Sequence, residues 1–272
     1  MAKYNLNFHE TFPPDRTYLS KILQNTDAID NITKEDISEL TGIPTGKSSG
    51  KVVPHVNYSK FMNLIDYENQ EGKFIIKRTS LGSEIFREDP YMNEQITKLL
   101  LNYFLTSKYY GAQMWNLIFR EFPYTYGKTI SSNIVSTEIE RYYGKRVKLS
   151  PFNSTYNKSN SFKDIEVLKF EDEIYKFTSL GFEYEGFYMY LYSLLMELEA
   201  LDILRKEFSY SEIFHEIKWN LGFQWSENEA IKVLERFESK SLISINRQLS
   251  PITVIIKVSS LDICNKIYSL LI

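Results

Sequence analysis

The stretch from Thr41 to Arg78, TGIPTGKSSGKVVPHVNYSKFMNLIDYENQEGKFIIKR, leaves few choices of local fold. Just upstream, Thr33 is a helix N-cap with Asp36 in the capping-box position, and Ile32 and Ile37 stand where a hydrophobic staple packs. Gly42 ends that helix, because a residue without Cβ takes the left-handed turn there most easily. A Gly/Ser/Lys turn follows, then a second helix from about Gly50 to Asn63 with Pro54 near its first turn. Leu64–Tyr67 and Lys73–Lys77 read as two strands joined by the polar turn Glu68–Gly72, and Thr79 opens a further helix. Helix, turn, helix, hairpin and closing helix is the order of a winged helix-turn-helix.

Either side of this stretch the pattern is mainly helical. Pro13 and Pro14 stop any helix from running through them, and Asp15 caps one with Tyr18, Leu19, Ile22 and Leu23 on its inner face. His9 and Glu10 belong to an entry loop anchored by Phe8 and Phe12. Between residues 91 and 180, Met92, Ile96, Leu99, Leu100, Tyr103 and Phe104 recur at helical spacing. Met114, Trp115, Ile118 and Phe119 mark a second helix ending before Pro123, and Ile130–Tyr143 marks a third. The Ser/Asn/Lys-rich run Ser150–Ser161 reads as a loop or boundary. An apolar helix, Phe187–Leu204, then precedes a second winged-helix pattern. It consists of a helix over Ser211–Asn220, a turn at Gly222–Trp225, a Ser226/Glu229 capping box and a helix with Ile231, Leu234 and Phe237 inside. Strands Leu242–Ile245 and Thr253–Val258 follow, and Ser259 or Ser260 caps a last helix. The expected fold is mainly α with small β-hairpins. Two winged helix-turn-helix units, over residues 1–90 and 181–272, flank a helical middle over residues 91–180.

Charge and composition narrow the function. The net charge of −3, from 32 basic and 35 acidic residues, excludes a protein coated in positive charge but leaves room for a local basic face. A single cysteine, Cys264, excludes an intrachain disulfide and any zinc site built from several cysteines. The sequence has no apolar run near the roughly 18 residues of a membrane span, and MAKYNLNFHE lacks a signal-peptide core. A cytoplasmic location is expected.

The most chemically suggestive segment is Gly46-Lys47-Ser48-Ser49-Gly50-Lys51. A P-loop would need glycine at position 41, which is Thr41, and would follow a strand rather than a helix. Two glycines and two serines ahead of a helix instead suit an anion site, with Lys47 and Lys51 adding full charge. The second helix is expected to expose Lys51, His55, Ser59 and Lys60. Lys73, Lys77 and Arg78 add charge on the hairpin, and His55 or Asn57 reaches toward base edges. From Gly46 to Arg78 six Lys/Arg oppose three acids (Asp66, Glu68, Glu71), an excess of three. The candidate DNA-binding set is therefore Lys47, Ser48, Ser49, Lys51, His55, Asn57, Ser59, Lys60, Lys73, Lys77 and Arg78. A solvated turn is the competing reading. Arg141, Lys145, Arg146 and Lys148 form a further basic cluster around Gly144, which either extends such a surface or is a solvated helix end. In the second winged pattern Glu227, Glu229, Glu235 and Glu238 outnumber Lys232, Arg236 and Lys240, which suits a protein partner or a second copy of the chain. No catalytic set emerges. His9, His55 and His215 lie far apart. Asp164, Glu166 and Lys169 match the Glu-x-Lys pattern of restriction-type nucleases poorly, since two residues separate Glu166 from Lys169. No metal or cofactor is expected.

FHETFPPDRTYLSKIL, ISELTGIPTGKSSGKVVPHVNYSKFMNLI, EDPYMNEQITKLLLNYFLTS and GAQMWNLIFREF together resemble a bacterial domain-of-unknown-function family (DUF4007-like). The resemblance covers most of the chain. It implies a gene neighbourhood of sulfur-transfer enzymes similar to phosphoadenosine-phosphosulfate reductase, in DNA phosphorothioation and phage-defence islands. On that footing the expected role is a non-catalytic accessory protein that binds double-stranded DNA and recruits a partner enzyme. The alternatives are a scaffold that never touches DNA and an enzyme acting on a phosphate-bearing substrate. The resemblance supplies no catalytic residues.

Overall fold

The structure, a computed structural model, describes residues 6–46, 50–248 and 250–271. It is mainly α-helical with three small antiparallel sheets. One order of elements recurs three times: a helix, a short strand, a helix or helical turn, a second helix and a hairpin.

In the first unit α1 (Arg16–Gln24) leads to β1 (Asp30–Thr33), α2 (Lys34–Thr41), α3 (Val52–Phe61), β2 (Ile65–Gln70) and β3 (Lys73–Arg78). Asp15 caps α1 by accepting from the Thr17 amide. Thr33 and Asp36 form the predicted capping box, and Gly42 closes α2 at φ +66°. Then α4 (Ser80–Glu88) and α5 (Gln95–Leu105) carry the chain to the second unit.

That second unit corrects the expectation of a purely helical middle. It runs through α6 (Gln113–Asn116), a π-helical turn at Leu117–Glu121, α7 (Phe122–Tyr126), β4 (Thr129–Ser131), α8 (Ser132–Tyr143), α9 (Ser150–Asn157), β5 (Leu168–Glu171) and β6 (Ile174–Phe177). Leu168 and Phe170 alternate with Lys169 and Glu171, and Tyr175 and Phe177 alternate with Ile174 and Lys176, so this sheet has the period of two that marks a half-buried strand. The expected loop at Ser150–Ser161 contains α9, because Pro151 is tolerated in a first helical turn. The expected stop before Pro123 is absent. A wider turn, with the Phe122 amide bonded to the Leu117 carbonyl, carries the helix up to the proline.

The third unit consists of α10 (Phe187–Leu201), β7 (Glu207–Ser209), a π-helical turn at Glu212–Glu216, α11 (Glu227–Ser239), β8 (Ile243–Asn246) and β9 (Thr253–Ile256). It closes on α12 (Ser260–Cys264). Ser226/Glu229 and Ser259/Asp262 form capping boxes. In every sheet the last strand lies in the centre, giving the orders β1-β3-β2, β4-β6-β5 and β7-β9-β8.

Aromatic side chains weld the units together. Trp115 of the second unit meets Phe8 and Tyr58 of the first at ring-centroid distances of 5.5 and 5.8 Å, and Phe152 on α9 at 5.7 Å. On the other side Tyr103 of α5 stacks on Phe223 at 5.0 Å, and Phe223 lies 4.6 Å from Trp225. No helix among the described residues is long and apolar enough to cross a membrane.

Candidate nucleic-acid interface

The first unit holds every candidate DNA-binding residue named from the sequence. Lys47, Ser48 and Ser49 lie outside the described residues. The expected exposure of α3 is corrected, because His55 and Ser59 each expose only 1% of their surface. The reason is the packing of α3 on three sides. Val52, Val56, Tyr58 and Met62 enter the core, and the Phe8–Phe12 entry loop covers the helix from outside, with the Tyr58 hydroxyl donating to the Phe12 carbonyl at 2.9 Å.

His55 is wholly engaged in this packing. Its Nε2 accepts from the Asp15 amide at 3.1 Å, and its Nδ1 lies 2.6 Å from the Lys51 carbonyl. An acceptor at Nε2 and a donor at Nδ1 define the neutral imidazole. Burial pushes its pKa down to about 4, outweighing the contrary effects of the Lys51 carbonyl and Asp15. Ser59 donates to the His55 carbonyl at 2.8 Å. Asn57 bridges the Phe8 carbonyl and the Tyr67 hydroxyl at 3.2 and 2.5 Å. None of these three side chains stands free to read a base.

Arg78 is also committed. It grips both Asp27 oxygens at 3.0 and 2.9 Å and lies over the Phe86 ring at 3.9 Å. The half-buried Lys51 extends between the Phe12 and Tyr18 rings, 5.5 and 5.4 Å from their centroids. Lys60, Lys73 and Lys77 are exposed. On the hairpin the register sets Lys77 opposite Asp66 and Lys73 opposite Gln70, with Glu68 on the same face. The excess of cations counted along the sequence is therefore largely balanced on this hairpin.

The second unit presents a different surface. Gly144, at φ +65°, ends α8 and turns the chain sharply into Lys145, Arg146, Val147 and Lys148 before α9 begins. Lys145, Arg146 and Lys148 are exposed. A cleft of about 870 Å³ lies between the outer face of α8, this turn, the start of α9 and the β5–β6 hairpin. Arg16 of α1 holds the far end of α9 through the Ser161 and Ser159 carbonyls at 2.6 and 2.9 Å and through Asp164 at 2.7 Å. Lys98 takes the second Asp164 oxygen at 2.7 Å. Burial pushes the Asp164 carboxyl up, but the hydrogen bonds from Lys98 and Arg16 prevail and hold it below its ordinary range. Asp164 thus fastens units together, and it lines a cavity of about 410 Å³ with Glu166 and Lys169. Among the described residues, no group of three or more His, Cys, Asp or Glu is placed to hold a metal ion.

Residues 7–269 match a family described as a protein of unknown function, DUF4007. The chain belongs to the DUF4007 family. This DUF4007 protein is similar in structure to a crystal structure of magnesium ion-bound SspB, with a TM-score of 0.75 at 16% identity over 97% of this chain and 88% of that one. A second SspB crystal structure gives a TM-score of 0.74 at 15% identity with the same coverage. At such identities the likeness is one of fold. No curated protein matches this DUF4007 chain.

Proposed function

We propose that this protein binds double-stranded DNA as an accessory factor of a bacterial DNA-modification or phage-defence system, in which it recruits a partner enzyme. The observation that carries the proposal is the threefold recurrence of helix, strand, helix, helix and hairpin, with the last strand central in every sheet. We read each recurrence as a winged helix. That fold offers a helix and a hairpin to a duplex, and tandem copies multiply the phosphate contacts from which affinity comes. In the first unit the exposed Lys60, Lys73 and Lys77, with the half-buried Lys51, are assigned to phosphates, and Lys47, Ser48 and Ser49 lie outside the described residues. The third unit faces the partner. On α11 the exposed charged residues are Glu227, Glu229 and Glu235 against Lys232 and Arg236, and the loop after α10 exposes Ile203 and Leu204 at 69% and 88%.

Fluorescence anisotropy of labelled duplex at several salt concentrations tests the proposal. Log affinity is expected to fall with log salt at a slope of about −0.9 per phosphate contact. Lys51→Glu/Lys60→Glu is expected to lower both affinity and slope. Leu204→Asp is expected to leave the titration unchanged and to lose a co-purifying partner. A wild-type chain that binds no duplex at any salt overturns the DNA reading and leaves the scaffold reading in its place.

A further inference from the structure

The helix that follows the turn differs among the three units in what it offers to a ligand. In the first unit α3 is buried on nearly every side, and Lys60 is its one exposed residue among those described. In the third, α11 exposes three carboxylates against two cations, with Asn228 and Ser239 beside them. In the second, α9 has Ser150 and Asn157 exposed and Asn153 and Ser154 half-buried, a face of hydroxyls and amides with no charge. Amides are the groups that pair with base edges, above all with adenine in the major groove.

The flanks of α9 carry the complementary charge. From Arg141 to Lys163 the sequence holds six cations (Arg141, Lys145, Arg146, Lys148, Lys158 and Lys163) and no carboxylate. All six are exposed. Arg141 is paired with Glu138 at 2.5 Å, while the other five make no ion pair among the described residues. In the first unit, six cations were set against three carboxylates, two of which share a hairpin face with Lys73 and Lys77. Acids bound this basic surface on two sides. Glu140 lines the cleft beside α8, and Glu173 is held at the cleft edge by the Ser132 hydroxyl at 2.5 Å. Asp164 is occupied by Arg16 and Lys98. The surface is thus a cationic turn next to a neutral polar helix, with Glu140 and Glu173 on its α8 side and Asp164, Glu166 and Glu171 lining a cavity with Asn157 and Lys163 at the far end of α9.

Its mounting is firm. Phe152 and Tyr156 anchor α9 in the aromatic core, and the Tyr156 hydroxyl donates to Asn102 at 2.8 Å. Past its end, Asn160 donates to Asp15 at 2.6 Å, and Asp15 in turn donates its amide to His55, whose ring bonds the Lys51 carbonyl. The segment past the end of α9 and Lys51 at the start of α3 are therefore joined by one run of hydrogen bonds.

We infer that the second unit is the sequence-reading contact. Lys145, Arg146 and Lys148 take backbone phosphates, and Ser154 and Asn157 on α9 meet base edges of a DNA duplex. The inference rests on the DNA-binding reading above and assigns it to a surface that the first unit does not supply.

The test uses the full chain and two variants. Lys145→Glu/Arg146→Glu/Lys148→Glu alters only exposed side chains, and its fold is checked by thermal melting. It is expected to bind at least about tenfold more weakly and to shed about 0.9 of salt slope per cation removed. Ser154→Ala/Asn157→Ala is expected to keep the wild-type salt slope and to flatten the preference recovered when the chain selects from a random-sequence duplex pool. If the triple variant binds as wild type while Lys51→Glu/Lys60→Glu does not, the inference fails and the first-unit reading stands. If wild type selects sequences and Ser154→Ala/Asn157→Ala selects the same ones, the base-reading assignment fails. If wild type binds no duplex, or binds only a single strand or RNA, the underlying reading fails first.

Discussion

His55 shows how one side chain can look like a ligand contact in sequence and be a core residue in structure. A histidine four residues after a lysine, at the start of a helix, invites a role at DNA. In the structure its two nitrogens tie the Asp15 amide to the Lys51 carbonyl, and the bond accepted at Nε2 requires the neutral ring. The ring's pKa falls from 6.5 to about 4 through burial. A group depressed in the folded state binds its proton more readily when unfolded, so its contribution is complete above pH 6.5 and is lost as pH falls toward 4. The gap corresponds to about 3 kcal/mol at full expression, at 1.36 kcal/mol per unit. The buried His9, also lowered to about 4, acts with the same sign. Urea unfolding should therefore show stability dropping between pH 6.5 and pH 4, and His55→Gln should flatten part of that drop. An unchanged pH profile in the variant would place the titrating group elsewhere.

At the scale of elements, α4 comes very close to the corner joining α3 to β2. A Cβ built on Gly82 would sit 1.8 Å from the Leu64 carbonyl oxygen, a backbone atom that cannot swing aside. Gly82 also donates its amide to the capping Thr79 hydroxyl at 2.9 Å, and that hydroxyl donates to the Asn63 carbonyl at 2.6 Å. Gly82→Ala is expected to cost about 2–3 kcal/mol, the upper range for overpacking. Gly181→Ala, where nothing lies within 4 Å, should stay within about 0.5 kcal/mol in the same urea titrations. Equal midpoints for the two variants would refute the close approach. Local signals of this kind were largely legible. Thr33 with Asp36, Gly42, Ser226 with Glu229 and the Lys73–Lys77 strand all appear where their chemistry predicts. The strands β1, β4 and β7 were not legible, since three or four residues carry no period of their own and only the finished hairpin gives them a partner. The candidate site was less legible still. Sequence spacing gives α3 an outer face, but nothing local reveals that the Phe8–Phe12 loop, forty-odd positions away, covers it. The cluster Arg141–Lys148 was visible as charge, yet its meaning depends on α9, which a Ser/Asn-rich composition disguised as loop.

For the whole molecule the decisive contact is a buried ion pair at the junction of the second and third units with α5. Arg120 and Glu197 are both fully buried, with Arg120 Nη1 2.9 Å from Glu197 Oε1. Arg120 also donates to the Tyr103 carbonyl on α5 at 2.9 Å and to the Ile217 carbonyl at 3.3 Å, and its guanidinium lies 4.5 Å from the Tyr103 ring centroid. The Tyr103 hydroxyl returns to Glu197 at 3.3 Å. Such a pair contributes little net stability against well-packed apolar groups, but removal of one partner strands a charge in the core. Arg120→Met is therefore expected to cost about 3–5 kcal/mol, and Glu197→Met a similar amount. Arg120→Met/Glu197→Met should cost less than either, because it strands no charge. Because the pair sits where three elements meet, each single variant should lower the midpoint of one cooperative transition rather than release one unit alone. Thermal melts followed by both far-ultraviolet and tryptophan signals read this directly, since Trp115 reports on the first junction and Trp219 and Trp225 on the second. Coincident curves at a lowered midpoint are expected for the singles. Curves that separate would mean that the units unfold independently, and singles milder than the double would mean that the charges are not buried together in solution.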